Sequence, residues 1–247
     1  MKLFGLIGNP LTHSYSEKYF IEKFKKENIS DCEYRLFPIK SIAQLPELLK
    51  NNPDLLGLNV TTPFKKEVLN YIDEPDIIVK DVESVNTIKI ENIQGKSFLK
   101  AYNTDIYGFY HSFQPLLKTY HKKALLLGTG GGASAVEFIL QLLKIEYLIV
   151  SRTPSKKQIS YNEIDKSIIQ NHQLIINATP VGTFPNINQS PEIPYQFFTS
   201  EHLLFDLVYN PSETEFLKHG KKQGAKIQNG MQMLKLQADK AWELWNK

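Results

Sequence analysis

The stretch "KALLLGTGGGASAVEFILQLLKIEYLIVSRT", residues 123–153, consists of an apolar run, a glycine-rich turn, a helical pattern and a second apolar run. Gly128, Gly130 and Ala133 fit G-x-G-x-x-A, in which small residues permit a tight turn, close approach of a pyrophosphate and close helix–strand packing. The following helix would add free N–H groups and a positive dipole end. The stretch therefore predicts a strand–helix–strand unit that binds a dinucleotide.

The second strand of this unit ends in Ser151, Arg152 and Thr153, without the acidic residue that holds the ribose of NAD. An arginine here binds a ribose 2′-phosphate, and a charge-assisted hydrogen bond contributes roughly 1.5–3 kcal/mol. Lys156 adds positive charge nearby. We therefore expect NADP(H) as the cofactor. The alternative is a surface arginine on a strand–helix loop.

The rest of the chain alternates predicted strands and helices, a pattern typical of a mostly parallel, helix-covered sheet. Before residue 105 the predicted strands are LFGLIG, EYRLFPI, LLGLNV and a hairpin, VNTIKIENIQGKSFLKAYNTD; the predicted helices are SEKYFIEKFKKEN and IAQLPELLK. After the glycine turn come the strands QLIINATP, LLFDLVYNP and AKIQ, and a closing helix, MQMLKLQADKAWELWNK. We expect an α/β fold with two domains.

Composition argues against several classes of protein. The chain has 247 residues, 42% of them hydrophobic, and a net charge of +3 without a basic stripe, so we expect no nucleic-acid partner. The single Cys32 excludes an internal disulfide, and six histidines show no metal-ligand spacing, so we expect no metal. The amino-terminal apolar run is too short for a signal peptide, and no stretch approaches the roughly 18 apolar residues of a membrane helix. These features predict a cytoplasmic protein without membrane association.

Polar side chains gather where the predicted strands end, and in open parallel sheets ligands bind at that position. After the first strand, "GNPLTHSYSEKYF" supplies Ser14 and Ser16. Ser14 and Glu17 also have the spacing of a helix capping box, so Ser14 has a purely structural alternative.

The segment "GLNVTTPFKKEV" ends a strand with Asn59 and Thr61 and predicts a helix that begins at Thr62. Lys65 and Lys66 then fall in its first turn, where the helix dipole disfavours positive charge. An ammonium placed there gives up its proton more readily, as proton-transfer chemistry near neutral pH requires. Two solvated surface lysines are the alternative.

The predicted hairpin turns near residues 92–95, so that residue numbers on opposite strands sum to about 188. Asn86 then faces Tyr102, which brings Asn86, Asn103 and Asp105 to one end of the ribbon. The alternative for Asp105 is that it only caps the following helix.

Further polar residues follow strands of the nucleotide unit. Asn177 and Thr179 stand in "IINATPVG", and Asp206 and Tyr209 stand in "FDLVYNP". For the asparagines of both motifs, the alternative role is turn formation. On the last helix Gln237 lies on or beside the apolar stripe, so its side chain needs a partner or a wet cleft.

Nine motifs, in order along the chain, resemble those of the shikimate dehydrogenase family: HSYS, NVTTPFK, VNT, NTDIYG, GTGGGAS, SRTPSK, NATPVG, DLVYNP and NGMQMLKLQ. The resemblance covers nearly the whole chain. It implies reduction of 3-dehydroshikimate to shikimate with NADPH, on the route to aromatic amino acids. It also implies a substrate domain at 1–104 and 230–247, an inserted Rossmann-type NADP domain at 105–229, and an active site in the cleft between them. We expect a monomer or homodimer.

Carried over position by position, the resemblance assigns three groups of residues. The catalytic pair is Lys65 and Asp105. The substrate-binding residues are Ser14, Ser16, Asn59, Thr61, Asn86, Tyr209 and Gln237. The NADP-binding residues are Gly128, Gly130, Gly131, Gly132, Ala133, Ser134, Arg152, Thr153, Lys156, Asn177, Thr179 and Gly230.

A few positions depart from the family's pattern. Glu17 replaces the proline that often follows the second serine, and Ser151 replaces a common asparagine. Glu83 and Ser84 stand where the family usually has Gly-Ala before Val-Asn-Thr. The changes at Glu17 and at residues 83–84 would alter loop shape and substrate affinity, but none removes a candidate catalytic group.

Three other functions stay open. A quinate/shikimate dehydrogenase would have broader substrate and cofactor use, although Arg152 and the serine pair argue against it. A methylenetetrahydrofolate dehydrogenase would need a large pterin site, which we do not find in the sequence. A non-catalytic NADP-sensing module is disfavoured because both Lys65 and Asp105 are present.

Overall fold

The computed structural model describes residues 1–12 and 14–247, so His13 of the HSYS motif lies outside the described residues. The chain folds into two compact units. One unit comprises Met1–Thr104 and Ala238–Lys247, and the other comprises Asp105–Gln237. Across the described ranges, no helix is both long and apolar enough to cross a membrane.

The first unit is built on a mixed, six-stranded sheet. Its elements are β1 (Lys2–Gly8), α1 (Ser16–Lys26), β2 (Cys32–Pro38), α2 (Leu45–Asn51), β3 (Leu55–Val60), β4 (Glu74–Pro75), α3 (Ile77–Val82), β5 (Thr87–Ile93) and β6 (Lys96–Tyr102), with 3₁₀ turns at Ile42–Gln44 and Glu67–Tyr71. The strand order is β2-β1-β3-β5-β6-β4. β1 and β3 are parallel, and β5 is antiparallel to both β3 and β6. The carboxyl ends of β1, β3 and β6 therefore meet the amino end of β5 at one end of the sheet.

The second unit is built on a six-stranded, fully parallel sheet. Its elements are α4 (Thr104–Phe113, of which Thr104 belongs to the first unit), β7 (Lys123–Leu127), α5 (Gly131–Leu142), β8 (Glu146–Val150), β9 (Gln158–Ile159), α6 (Lys166–Asn171), β10 (Leu174–Asn177), β11 (Leu203–Asp206), α7 (Glu215–Lys222), β12 (Lys226–Gln228) and the first half of α8 (Met231–Trp245). The strand order is β12-β11-β10-β7-β8-β9. Numbered within the unit, this is the Rossmann order of dinucleotide-binding folds. The predicted α/β fold class is confirmed.

Alternating apolar residues give the first sheet two buried faces. Phe4 of β1 packs with Phe20 of α1 and with Trp245 of α8 on one face, where the Phe4 and Trp245 rings stack at 4.9 Å. Ile7 of the same strand packs with Leu58 on the other face. The end of the last helix thus completes the core of the first unit.

Helix α8 divides at a different point from the one predicted. Ala238 and Trp245 pack in the Phe4 cluster of the first unit. Gly108 of α4 lies so close to α8 that a Cβ added there would meet the Gln237 Cβ at 3.1 Å. The second compact unit extends to Gln237, whereas the sequence placed the end of the nucleotide domain at residue 229.

The prediction of a helix that begins at Thr62 is wrong. Residues 62–66 form turns, and a 3₁₀ segment, Glu67–Tyr71, follows them. The Phe64 N–H donates to the Thr61 carbonyl at 3.0 Å, which closes a tight turn. Lys65 therefore does not stand in the first turn of an α-helix, and the helix-dipole argument for its proton affinity does not apply.

The predicted hairpin register is wrong by one residue. Gln94 and Gly95 both have positive φ and form a two-residue turn, which the Gly95 N–H stabilises by donating to Asn92 Oδ1 at 2.9 Å. Thr87, not Asn86, is consequently opposite Tyr102. Asn86 lies just before the strand begins.

Glu83 and Ser84 are both unfavourable in this backbone. Glu83 ends α3 in the left-handed conformation with φ 47°, which costs a residue with a side chain roughly 1–2 kcal/mol. Ser84 is fully buried, and among the described residues its hydroxyl has no hydrogen-bond partner. An unpaired buried hydroxyl destabilises the fold.

We expect both Glu83→Gly and Ser84→Ala to raise the free energy of unfolding. For Glu83→Gly we expect a gain of about 0.5–1 kcal/mol, because the greater conformational entropy of glycine in the unfolded state offsets part of the relieved strain. For Ser84→Ala we expect a gain of about 1–3 kcal/mol. Urea denaturation measures both. The matched controls are Glu27→Gly, where φ is −95°, and Ser112→Ala, whose hydroxyl donates to the Gly108 carbonyl at 2.7 Å. A Ser84→Ala variant that loses stability, as Ser112→Ala should, contradicts the explanation.

Candidate active site

Six of the predicted residues lie at the end of the first sheet where β1, β3 and β5 meet. They are Ser14 and Ser16 after β1, Asn59 in β3, Thr61 and Lys65 after β3, and Asn86 before β5. Two backbone hydrogen bonds join the segments that follow β1 and β3: Thr61 N–H donates to the Ile7 carbonyl at 3.0 Å, and Asn9 N–H donates to the Thr62 carbonyl at 3.1 Å. Sheet topology thus gathers side chains from three segments.

Ser14 has a local structural role at the start of α1, although its hydrogen bond is not that of a full capping box. Helix α1 begins at Ser16, and its N-cap residue, Tyr15, makes no side-chain capping bond. The Ser14 hydroxyl instead accepts from the Ser16 N–H at 3.3 Å. Both serines are half-buried, Ser14 in the loop that follows β1 and Ser16 as the first residue of α1.

Asn86 is the centre of a buried polar network. Its Nδ2 donates to Thr104 Oγ1 at 2.9 Å, and its Oδ1 accepts from the Thr104 N–H at 2.6 Å. Asn103 Nδ2 donates to the Ser84 carbonyl at 2.8 Å. These bonds fix the backbone directly before Asp105. Since α4 begins at Thr104, Asp105 lies within its first turn.

The amide of Asn59 is oriented by a residue that the sequence did not indicate. The Tyr34 hydroxyl donates to Asn59 Oδ1 at 2.8 Å, while Asn59 Nδ2 donates to Thr87 Oγ1 at 3.2 Å and to the Asn86 carbonyl at 3.3 Å. Burial raises the pKa of Tyr34 well above its usual value, and a hydrogen bond with Ser16 acts in the opposite direction. Tyr34 therefore remains a proton donor. It stands in β2, outside every motif.

Lys65 and Lys66 differ in their surroundings. Lys65 is half-buried, and its carbonyl accepts the Val85 N–H at 2.8 Å, which ties the turn to the segment before Asn86. Lys66 is exposed. The structure thus distinguishes two lysines that their predicted position in a helix did not separate.

The second unit contains a cavity of about 940 Å³ at the carboxyl ends of its parallel strands. The residues of the cofactor prediction that line it are Gly128, Gly130, Arg152, Thr153 and Thr179. The sequence missed other residues that line the cavity, which include Ser160, Tyr161, Asn162, Gln189, Ser190 and Glu192. Three of these follow β9, a strand of two residues that is too short to show a period in sequence.

The glycine turn has the shape that a pyrophosphate requires. Gly128 has φ 102°, and a Cβ added there would meet the Thr179 methyl at 2.8 Å. A Cβ added at Gly130 would meet nothing within 4 Å, so open space lies beside the turn. Gly131, Gly132, Ala133 and Ser134 form the first turn of α5, whose N-terminal N–H groups favour an anion. With Arg152 in the same cavity, these residues fit an NADP-type dinucleotide.

A second buried network lies behind the cavity wall. Asn177 Oδ1 accepts from the Thr179 hydroxyl at 2.6 Å and the Thr179 N–H at 3.1 Å, while Asn177 Nδ2 donates to Asp206 Oδ1 at 3.0 Å. Asp206 also accepts from the Val208 N–H at 3.0 Å and the Thr214 hydroxyl at 2.6 Å. Burial raises the pKa of Asp206 to about 7, although these hydrogen bonds oppose the shift.

The remaining predicted residues also belong to the second unit. Lys156 is exposed in the loop after β8, and Tyr209 is half-buried after β11. Gly230 precedes α8, and its N–H donates to the Val208 carbonyl at 3.1 Å. Gln237 is buried in α8, where its Nε2 donates to the Leu234 carbonyl at 2.9 Å.

Comparison with known proteins points to one family. Residues 6–88 match the sequence model described as "Shikimate dehydrogenase substrate binding domain". The chain is 35% identical to the NADP(+) shikimate dehydrogenase of Caldanaerobacter subterraneus subsp. tengcongensis, over 99% of this chain and 91% of the other, and 35% identical to that of Carboxydothermus hydrogenoformans with the same coverage. It is also similar to the structure of shikimate 5-dehydrogenase from Thermus thermophilus in complex with NADP(H) and shikimate, with a TM-score of 0.85, 29% identity, and coverage of 99% and 93%.

Proposed function

Because the chain belongs to the shikimate dehydrogenase family, we propose that it catalyses the reversible, NADP(H)-dependent reduction of 3-dehydroshikimate to shikimate. The observation that carries the proposal is the likeness to NADP(+) shikimate dehydrogenases over 99% of the chain, which includes both units. The cavity that combines Gly130 with Arg152 supports NADP(H) as the cofactor.

The substrate carries a carboxylate and ring hydroxyls, which hydroxyl and amide side chains recognise well. We assign this binding to Ser14, Ser16, Asn59, Thr61, Asn86, Tyr209 and Gln237. Both side-chain polar atoms of Asn59 already form hydrogen bonds, Oδ1 with Tyr34 and Nδ2 with Thr87 and the Asn86 carbonyl. Its main contribution is therefore to hold neighbouring groups in place.

Proton transfer is assigned to Lys65. In the direction of reduction the Lys65 ammonium gives a proton to the ring carbonyl oxygen as that oxygen gains charge, and in the reverse direction the amine removes it from the hydroxyl. Asp105 is assigned as the second catalytic residue, which would orient the reacting groups. NADPH, when bound, supplies the hydride that the carbonyl carbon receives.

The cofactor is assigned to the second unit. Arg152, Thr153 and Lys156 would hold the 2′-phosphate, and the turn and first helical residues from Gly128 to Ser134 would hold the pyrophosphate. Thr179 and Gly230 would hold the remainder of the dinucleotide, and the fully buried Asn177 would act through Thr179. The first unit is then the substrate domain. We further propose that the protein works in the cytoplasm, as a monomer or homodimer, with a small-molecule substrate and without a nucleic-acid partner.

A spectrophotometric assay with shikimate and quinate, each paired with NADP⁺ and NAD⁺, tests the proposal. We expect the largest kcat/KM for shikimate with NADP⁺. Preferred turnover of quinate would instead indicate the broader quinate/shikimate activity. NADPH binding without turnover of either acid would indicate a sensing module.

A further inference from the structure

Asp206 is a buried carboxylate at the end of β11 that none of the roles proposed above uses. We propose that it is a positioning residue of the nucleotide cavity, acting through Asn177 on Thr179 and on the glycine turn. The inference rests on the proposed function in one respect, because it takes NADP(H) as the ligand of that cavity.

The first step of the argument is the bond between Asp206 and Asn177. Both side chains are fully buried on adjacent parallel strands, β11 and β10, and their Cα atoms are register partners. Asp206 Oδ1 accepts from Asn177 Nδ2 at 3.0 Å. This bond is the shorter of the two that Asn177 Nδ2 donates, the other going to the Val181 carbonyl at 3.4 Å. Together they turn the Oδ1 atom of Asn177 away from Asp206.

The second step leads from Asn177 to the cavity. Asn177 Oδ1 accepts two hydrogen bonds from Thr179, and Thr179 Oγ1 accepts the Val181 N–H at 3.2 Å. Thr179 and Val181 both line the cavity. The Thr179 methyl packs so closely on Gly128 that only glycine fits there. If the Asn177 amide were flipped, its NH₂ group would face the Thr179 N–H, and two donors cannot form a hydrogen bond. The turn at Thr179 would then lose the bonds that hold it.

The third step separates the two oxygens of Asp206. Oδ1 serves Asn177 and the Val208 N–H, whereas Oδ2 accepts the Thr214 hydroxyl at 2.6 Å. Thr214 is the N-cap of α7, where its Oγ1 accepts the Leu217 N–H. The Oδ2 side therefore contributes to stability, and the Oδ1 side orients the cavity wall. The two roles can be tested apart.

The test measures NADPH affinity by fluorescence titration, KM for NADP⁺ and for shikimate, and the melting temperature. Asp206→Ala removes the shorter of the two bonds that Asn177 Nδ2 donates, at 3.0 Å, and leaves the 3.4 Å bond to the Val181 carbonyl. We expect Kd for NADPH and KM for NADP⁺ to rise about tenfold. KM for shikimate should change less than about twofold. Asp206→Asn keeps one oxygen for Asn177 and can donate to Thr214 Oγ1, so it should bind NADPH nearly as the unmodified protein does.

Thr214→Val is the matched control, because it removes the bond to Oδ2 and the helix cap but leaves the Asn177 bond in place. We expect it to lower the melting temperature without changing Kd. If Asp206→Ala does not fold, Asn177→Ala breaks the same 3.0 Å bond from the other side and should raise Kd similarly. Lower melting temperatures with unchanged Kd in these variants would overturn the inference. An unmodified protein that does not bind NADPH would instead overturn the proposed function.

Discussion

Replacing Lys65 with alanine should lower kcat for shikimate oxidation by about 10²–10⁴-fold, the usual contribution of a positioned general acid or base. The affinity for NADPH should not change, because the nucleotide cavity is lined by residues of the second unit, whereas Lys65 belongs to the first. Steady-state kinetics and NADPH titration together measure the two quantities.

Two further variants separate proton transfer from positive charge. Lys65→Arg keeps the charge, but a guanidinium does not release a proton, so we expect a loss as large as that in Lys65→Ala. Lys66→Ala removes the adjacent, exposed lysine and should retain nearly full kcat. A Lys65→Arg enzyme with near-normal turnover would show that charge, and not proton transfer, is the contribution of this side chain.

Replacing Arg152 with alanine should raise KM for NADP⁺ by about 10- to 150-fold, which corresponds to the loss of one charge-assisted hydrogen bond to a phosphate. KM for NAD⁺ should not change, because NAD⁺ lacks the 2′-phosphate. Arg152→Glu should go further and favour NAD⁺, since a carboxylate accepts hydrogen bonds from the ribose hydroxyls and repels the phosphate.

The ratio of kcat/KM for NADP⁺ to that for NAD⁺ is the decisive measurement. Lys157→Ala provides the control, because Lys157 is exposed in the same loop but carries no proposed role. If Arg152→Ala and Lys157→Ala changed the ratio equally, the phosphate would respond to general positive charge and not to the guanidinium of Arg152.

The reliable predictions came from patterns that are complete within a few consecutive residues. The strand LLGLNV was placed correctly at Leu55–Val60, because apolar residues between turn signals define a buried strand locally. The glycine turn and α5 were also predicted, since backbone conformation at Gly128 limits which residue fits there. The helix predicted after Thr62 was wrong although Pro63 is a typical first-turn residue. The tertiary contacts of this segment with β1 and with Val85 outweigh a weak local propensity.

The same distinction between local patterns and tertiary contacts applies to the residues of the candidate site. Residues in recognisable motifs, such as Asn86 and Arg152, were predicted individually, and sheet topology gathers each with its neighbours in its own unit. The register of the hairpin could not be predicted to one residue, because the position of a two-residue turn decides it. Tyr161 and Glu192 were missed because they reach the cavity from a short 3₁₀ turn, which follows a two-residue strand, and from a loop.

The sequence by itself determined the α/β class, the nucleotide-binding turn and the arginine in place of an acid, because each depends on residue type and short-range spacing. Only the tertiary structure decided that Tyr34 orients Asn59 and that Asp206 orients Asn177, since those pairs are 25 and 29 residues apart. The physical reason is that a buried polar group must find a hydrogen-bond partner wherever folding places one, and that requirement leaves no local pattern in the chain.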